Sequence, residues 1–310
     1  MTKNTELDID GEKIKVSNLD KVFYPKTGFT KGNVIDYYIR VSPHLLPHLK
    51  NRPITLKRYP EGVEGFFFYE KECPSSRPSR MRTADVARSD GTKIHYCLVN
   101  NLPSLVWAAN LADLELHTFL HKAPAISRPT VLAFDLDPGP PADIVLCCAV
   151  ALRLKSLFDS INTQSFAKTS GSKGLQVYVP LNTAATYAKT KAFGRSVALA
   201  LEKQSPEMVV EKMQKSLRAG KVFVDWSQND DHKTTVSVYS LRAKEHPTVS
   251  TPVTWDEVAT ALKKKNAGSL TFEAQDVLKR VEKQGDLFAP VLSLKQQLPK
   301  FEAEWLTGRP

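Results

Sequence analysis

The sequence predicts a mixed α/β fold. Two β-branched and aromatic runs, Val131-Leu-Ala-Phe134 and Val222-Phe-Val224, have the composition of buried strands. Longer segments, 142–158 and 186–203, have helical length and spacing. Each strand run ends in acid: Asp135 and Asp137 after the first, Asp225 after the second. At 310 residues the chain is one large domain or two compact ones, long enough for a substantial core.

Apolar residues make up 42% and charged residues 25%, the balance of an ordinary globular protein. Net charge is +10 and the pI about 9.3, which favours an anionic partner such as nucleic acid. The four cysteines, Cys73, Cys97, Cys147 and Cys148, form no CxxC pair. Cys147 and Cys148 lie in an apolar stretch and read as buried thiols, not zinc ligands, which fits a reducing, cytoplasmic setting. The opening Met1-Thr-Lys-Asn-Thr-Glu lacks a signal core, and no apolar run reaches membrane-spanning length.

Residues 7–16 alternate around Asp10-Gly11, as a strand or hairpin would. Residues 17–31 are loop-rich, with Lys21, Lys26 and Lys31 among aromatics. Thr30 suits the N-cap of a helix over about 31–42, where Val34, Tyr37, Tyr38 and Val41 recur at helical spacing. Residues 52–60 read as a strand delivering Lys57 and Arg58; residues 66–71 come next, then an arginine-rich loop over 74–82. A strand is expected over 93–99 and a helix over 103–113, with Pro103 near its start. Residues 114–119 alternate, with Leu114, Leu116 and Thr118 on one face and His117 on the other.

The acidic strand stops at Pro138-Gly-Pro-Pro141, and a helix covers 142–158. Residues 165–180 are strand, glycine turn, strand about Thr169-Ser-Gly-Ser-Lys-Gly174. Helices are expected over 186–203 and 206–215, and the second acidic strand over 221–226. Thr254-x-x-Glu257 has the form of a capping box for a helix ending in Lys263-Lys-Lys265. Another helix over 271–284 closes at Gly285, and the last twenty residues read as a tail.

Asp135 and Asp137 are spaced i, i+2 on a strand, so both carboxylates leave on one face. Like charges held that close repel unless a cation lies between them. Their hard oxygens suit Mg²⁺ or Mn²⁺. Alone, Asp-x-Asp more often marks a solvated strand end. Asp225 shifts the balance, because an acid in a core strand is disfavoured unless paired or metal-bound. If the two strands were neighbours, three carboxylates would suit a two-metal phosphoryl transfer. Spacing alone does not make them neighbours. Thr169-Ser-Gly-Ser-Lys-Gly174 can turn backbone N–H groups and one ammonium toward a phosphate, although it lacks the GxxxxGK[ST] spacing. His117, Arg218 and Arg242 are individually weak signals. Their weight lies in occurring together with the acids at strand ends and turns.

The ordered motifs LDKVFYP, TK, RPITLKRYP, FFFYEK, LELH, FDLDP, TSGSKGLQVYVPL, KSLRAGKVFVDWSQN, KTT and YSLR resemble the polymerase domain of bacterial ligase D. That domain belongs to the archaeo-eukaryotic primase superfamily, and the resemblance covers about residues 14–290. It implies an α/β (α+β) catalytic core beside an RRM-like sheet, with a catalytic domain over 1–290 and a C-terminal tail over 291–310. It also implies a template-dependent nucleotidyltransferase that fills gaps and extends DNA ends, prefers ribonucleotides and uses two divalent ions, Mn²⁺ or Mg²⁺. Asp135, Asp137 and Asp225 match the catalytic, metal-binding acids. His117, Ser170, Ser172, Lys173 and Arg242 match positions that hold the incoming triphosphate, and Arg218 and Gln228 lie beside the acids.

On the DNA side, Lys21 and Lys31 match a pair that recognises a downstream 5′-phosphate, and Phe68 an aromatic that stacks on a nearby base. Lys57 and Arg58 fall in a DNA-facing strand. With Thr30 as N-cap, the helix start is expected to add backbone donors to the phosphate pocket. The implied partners are gapped or broken duplex DNA with a 5′-phosphate, NTPs and dNTPs, Ku and a DNA ligase. No membrane is implied, and the setting is the nucleoid within the cytoplasm. The segment between His117 and Asp135 is shorter than in mycobacterial members of that family, so the loop over that edge is expected to differ. No ligase or phosphoesterase motif occurs within the 310 residues. A metal-dependent glycosyltransferase would also use Asp-x-Asp, but it leaves Asp225 and the basic N-terminal segment without a role. A non-catalytic DNA-end-binding module has no use for three acids that need cations.

Overall fold

The computed structural model describes residues 4–87 and 90–300. Its first half runs β1 (Asn4–Ile9), β2 (Glu12–Ser17), β3 (Val22–Tyr24), β4 (Phe29–Thr30), α1 (Lys31–Leu49), β5 (Pro53–Arg58), β6 (Phe68–Glu70), β7 (Thr83–Ala87), β8 (Lys93–Leu98), α2 (Leu102–Asn110) and β9 (Asp113–Thr118). The second half runs β10 (Val131–Pro138), α3 (Ile144–Ser160), β11 (Phe166–Thr169), β12 (Leu175–Pro180), α4 (Tyr187–Gln204), β13 (Val209–Val210), β14 (Val222–Asp225), β15 (Thr235–Val236), β16 (Pro252–Val253), α5 (Trp255–Lys264), α6 (Ala274–Gln284) and α7 (Pro290–Ser293). The chain divides into two compact units. One holds the residues up to Ile126 with Thr234–Ser250 and Phe272–Asp286, and the other holds Ser127–Lys233, Thr251–Thr271 and the residues from Leu287.

In the first unit the main sheet runs β15-β9-β5-β8-β7, with β6 also on β5. β1 and β2 form the expected hairpin. Its turn residues Asp10 and Gly11 both have positive φ, 50° and 76°, which matches the twist of a two-residue hairpin. α1 runs on to Leu49, past the expected end near 42, through Pro43 and Pro47. Proline cannot donate to the carbonyl four residues back. The Ser42 hydroxyl takes that place for Pro43, donating to the Ile39 carbonyl at 2.8 Å. The core holds Tyr24, Tyr37 and Tyr38, whose hydroxyls donate to the carbonyls of Arg242, Tyr239 and Leu114. Buried tyrosines need such partners.

Cys73 and Cys97 form a disulfide, where the sequence suggests a wholly reduced set. The Cys73 N–H donates to the His95 carbonyl, which lays the loop after β6 against β8 and brings the two Cα atoms to 4.9 Å. Cys147 and Cys148 are free and buried, as expected.

In the second unit the sheet runs β13-β14-β10-β12-β11-β16. α3 packs on β10 and β12, α4 on β10 and β13, and α5 on α3. Residues 206–215 are not the expected helix. Val209 and Val210 pair in parallel with Val222 and Phe223 as β13, and Lys215–Leu217 is a single 3₁₀ turn. Two β-branched residues directly beside an open strand edge gain more from the ladder than from a helix started by Pro206. The capping box at Thr254 forms as expected: the Thr254 hydroxyl accepts the Glu257 N–H at 3.2 Å and Glu257 accepts the Thr254 N–H at 2.8 Å. Past Leu287 the chain is tied down as far as Gln296, whose N–H donates to the Leu181 carbonyl and whose side chain bridges Gln164 and Pro180. Among the described residues no helix is long and apolar enough to cross a membrane.

Candidate active site

The two acidic strands are neighbours. β10 pairs antiparallel with β14, and the register places Asp135 directly opposite Asp225. On its other side Asp135 faces Gln176 of β12, and Gln176 faces Lys168 of β11. Directly opposed residues share a face of the sheet. One face therefore carries a polar row, Lys168, Gln176, Asp135 and Asp225, with Asp137 two residues further along β10. Three carboxylates expected from two separate runs stand on one surface.

Asp135, like Asp137 and Asp225, is half-buried. Its Oδ1 is buried without a hydrogen-bond donor. Burial, and then the charge of Asp137, raise its pKa to about 7, with Asp225 adding to the rise and Gln176 and Lys168 opposing it. Asp225 is oriented by the 3₁₀ turn that begins at the next residue. Its Oδ1 accepts the Ser227 N–H at 2.9 Å and the Ser227 hydroxyl, and its Oδ2 accepts Gln228 Nε2 at 3.1 Å. Among the described residues no three His, Cys, Asp or Glu side chains close on a common metal position. The donors still fit a divalent cation. They are hard oxygens on one face, one of them buried without a donor, and a cation would relieve the repulsion that raises the Asp135 pKa.

Three close approaches hold the strand in place. A Cβ on Gly174 would lie 2.0 Å from the Leu136 carbonyl oxygen, so only glycine lets the Ser-Gly-Ser-Lys-Gly turn lie against the backbone between the two acids. A Cβ on Gly139 would lie 1.9 Å from the Arg218 carbonyl oxygen, which fixes Arg218 beside the end of β10. Beyond Asp225 the chain leaves the ladder for a 3₁₀ turn, and the side chain of Asn229 replaces the missing strand partner. Its Oδ1 accepts the Ala133 N–H at 2.9 Å and its Nδ2 donates to the Ala133 carbonyl at 2.7 Å. Asn229 is fully buried.

The glycine turn and Arg218 complete this unit. Ser170 is buried, and its hydroxyl accepts the N–H groups of Ser172 and Gly174, so it braces the turn from inside. Ser172 and Lys173 point into solvent. The Arg218 guanidinium lies 3.8 Å from the ring centroid of Phe223, the residue opposite Asp137. Its Nε is buried without an acceptor, as is Oε1 of Gln228 without a donor.

The remaining expected residues lie in the first unit. On β9, His117 Nε2 is 3.0 Å from Glu115 Oε2, and Lys57 Nζ reaches the same oxygen at 3.0 Å. Arg242 Nε lies 3.4 Å from Glu115 Oε1. Burial raises the Glu115 pKa, but His117, Arg242 and Lys57 together hold it well below the usual carboxylate range. The His117 pKa is lowered, chiefly by burial. Glu115 escapes the motif reading, although the alternation that exposes His117 also puts Glu115 on its face. Lys57 and Arg58 spend much of their charge internally: Lys57 on Glu115 and the Phe67 ring at 4.8 Å, Arg58 on Glu70 at 2.7 Å and the Phe68 ring at 5.1 Å. Beside Phe68, the rings of Phe66, Phe67 and Tyr69 are exposed.

Lys21 and Lys31 are joined through the backbone, the Lys31 N–H donating to the Lys21 carbonyl at 2.8 Å. The Lys31 pKa is lowered to about 8 by burial, then by Lys21 and Arg58. Lys21 Nζ pairs with Glu61 at 2.7 Å. Thr30 caps α1 as expected, but the cap does not open a donor site. The first three N–H groups are taken by the Lys21 and Leu19 carbonyls and the Thr30 side chain.

Residues 30–288 match the family model of the LigD primase-polymerase domain. The chain is 40% identical over 282 residues to the multifunctional non-homologous end joining protein LigD of Mycolicibacterium smegmatis, covering 90% of this chain and 36% of that protein. It is 33% identical over 274 residues to the bifunctional non-homologous end joining protein LigD of Bacillus subtilis, covering 88% and 43%. The chain thus spans well under half the length of these curated relatives. Among solved structures it superposes on the polymerase domain of Mycobacterium tuberculosis ligase D in complex with DNA. The TM-score is 0.84 at 37% identity, covering 91% of this chain and 99% of that one. The likeness leaves the glycosyltransferase alternative without support. By its sequence and its fold, the chain belongs to the LigD primase-polymerase domain family and is a nucleotidyltransferase.

Proposed function

We propose that the chain adds nucleotides to the 3′-hydroxyl of a templated primer, filling gaps and extending broken DNA ends. The observation that carries this is the direct pairing of Asp135 with Asp225, with Asp137 on the same face. These three acids would hold two divalent ions, Mn²⁺ or Mg²⁺. Bound there, the ions supply Lewis acidity to the attacking hydroxyl and neutralise charge on the triphosphate. Gln228 and Ser227 orient Asp225 for that task. Ser170 keeps the glycine turn in shape, while Ser172 and Lys173 hold phosphate oxygens. On the first unit, His117 and Arg242 are triphosphate ligands. Arg218, stacked on Phe223, adds positive charge beside Asp137.

Lys21 and Lys31 bind the 5′-phosphate at the far side of a gap. A terminal monoester carries nearly two charges against one for an internal diester, so two ammonium groups favour ends over continuous duplex. Phe68 stacks on the adjacent base, and Lys57 and Arg58 support that segment. Residues 1–290 carry the catalytic machinery, and the chain as far as Gln296 packs onto its second unit. In the cell, Ku and a DNA ligase at broken ends in the nucleoid are the partners, by analogy with the end-joining relatives.

Primer extension on a 5′-phosphorylated gapped duplex, with each nucleotide type and each metal tested separately, tests the reading. Extension should require Asp137, and robust activity of Asp137→Ala at saturating Mn²⁺ removes the site. Ribonucleotides should be preferred, because an unmet 2′-hydroxyl contact costs on the order of 1–3 kcal/mol. Equal kcat/KM for the two sugars removes that preference.

A further inference from the structure

β9 lays Asp113, Glu115 and His117 along one face. A carboxylate as buried as Glu115 is costly unless its charge is met. Both of its oxygens are met here. Oε2 takes Lys57 Nζ and His117 Nε2, each at 3.0 Å, while Oε1 accepts the Ala243 N–H at 3.0 Å and lies 3.4 Å from Arg242 Nε. The Tyr59 hydroxyl adds a more distant donor at 3.5 Å. β5, β9 and the chain at 242–243 therefore converge on one carboxylate.

We infer that Glu115 is the positioning residue for the anion-binding groups of this unit. It fixes the Nε2–H tautomer of His117 and, with Lys57 sharing the neutralisation of its charge, holds Arg242 so that His117 and Arg242 face an incoming triphosphate. This rests on the reading of His117 and Arg242 as triphosphate ligands.

Donor and acceptor chemistry sets the tautomer. A carboxylate only accepts, so the His117 nitrogen it meets must carry the proton, and Nδ1 of the neutral ring is left as an acceptor. A phosphate oxygen also only accepts. His117 can serve it through Nδ1 only as an imidazolium, and Glu115 is the neighbour that favours that form. Every other group facing the ring opposes it or is neutral: Lys57 from β5, Arg242, and Tyr69 of β6, whose ring meets the imidazole edge-on at 6.1 Å. Without the carboxylate, Lys57 and Arg242 would also repel each other with nothing between them. Glutamine keeps the shape of Glu115, but its amide adds donors where the carboxylate only accepts, against Lys57 and His117.

The test is nucleotide KM and kcat in primer extension, across about pH 5.5–8.5, where a histidine titrates. Glu115→Gln and Glu115→Asp are compared with His117→Ala and Arg242→Ala, with thermal melting as the check on folding. Glu115→Gln should raise nucleotide KM on the order of ten- to hundred-fold, the cost of losing a charged buried hydrogen bond, with far less change in kcat. The limb of the KM profile set by His117 should move to lower pH, and Glu115→Asp should recover part of both effects. A folded Glu115→Gln with wild-type KM and pH limb, while His117→Ala raises KM, overturns this inference alone. If neither His117→Ala nor Arg242→Ala changes KM, the ligand reading falls and this inference with it. Should Glu115→Gln not fold, ¹⁵N NMR of the wild-type imidazole decides, and a neutral Nδ1–H tautomer overturns the inference.

Discussion

Asp135→Asn removes one charge from the acid face and keeps its shape, so it separates what the carboxylate costs the fold from what it does for catalysis. In the folded chain the Asp135 pKa is about 7 against an ordinary 3.8, raised first by burial and then by Asp137. A raised carboxylate pKa means that the folded state binds more protons than the unfolded state between about pH 4 and 7. Stability from this group therefore falls as pH rises through that window. One pKa unit is about 1.36 kcal/mol, so a rise of roughly three units sets an upper limit of roughly 4 kcal/mol at pH 8. Without metal, Asp135→Asn should thus be more stable than wild type at pH 8, by on the order of 1–4 kcal/mol. At about 2–4 °C per kcal/mol, the scale for chains of 150–250 residues, that is a gain of several degrees in melting temperature. The gap should close toward pH 4–5, where wild-type Asp135 is protonated. Saturating Mn²⁺ should reverse the order, because a cation bound only by the folded wild type stabilises it by mass action. The assay is paired thermal melts at pH 5 and 8, first with chelator and then with Mn²⁺. Equal melting at pH 8 with chelator, or a difference that persists on acidification, refutes the reasoning.

The same geometry sets further outcomes. Gly174→Ala should cost about 1–3 kcal/mol or more and suppress extension, since its Cβ would lie 2.0 Å from the Leu136 oxygen; a melt and an extension assay check both. Asn229→Ala should destabilise by about 2–4 kcal/mol, because it leaves both backbone groups of Ala133 unpaired in the interior, and denaturant unfolding measures this. With a Lys31 pKa of about 8, preference for a 5′-phosphorylated gap over its hydroxyl counterpart should weaken as pH rises above 8, where the ammonium is lost. It should weaken again below about 6, where the phosphate takes up a proton, and anisotropy titrations of the two gaps report both limbs. Lys21→Ala with Lys31→Ala should abolish that preference and flatten the salt dependence by up to about two log–log units.

Most secondary structure was legible because it is encoded between near neighbours. The period of two in Val131–Pro138 and the capping residues Thr30 and Thr254 each act within a few residues, and each element forms where its pattern lies. Local pattern misled at 206–215, where a strand edge outside the segment decided its state.

The sequence by itself determined the chemistry available: which acids end the strands, which turn carries glycine and lysine, and where the basic residues fall. The tertiary structure alone decided the register of Asp135 against Asp225, the Gly174–Leu136 approach, the Asn229 clasp on Ala133 and the convergence of Lys57, His117 and Arg242 on Glu115. It also decided that the first N–H groups of α1 are already taken. The division has a physical cause. Side-chain direction along a strand or helix follows from local backbone geometry. Which strands become neighbours, and which buried charges meet, depends on closing long loops and packing the whole core, a balance no short window contains.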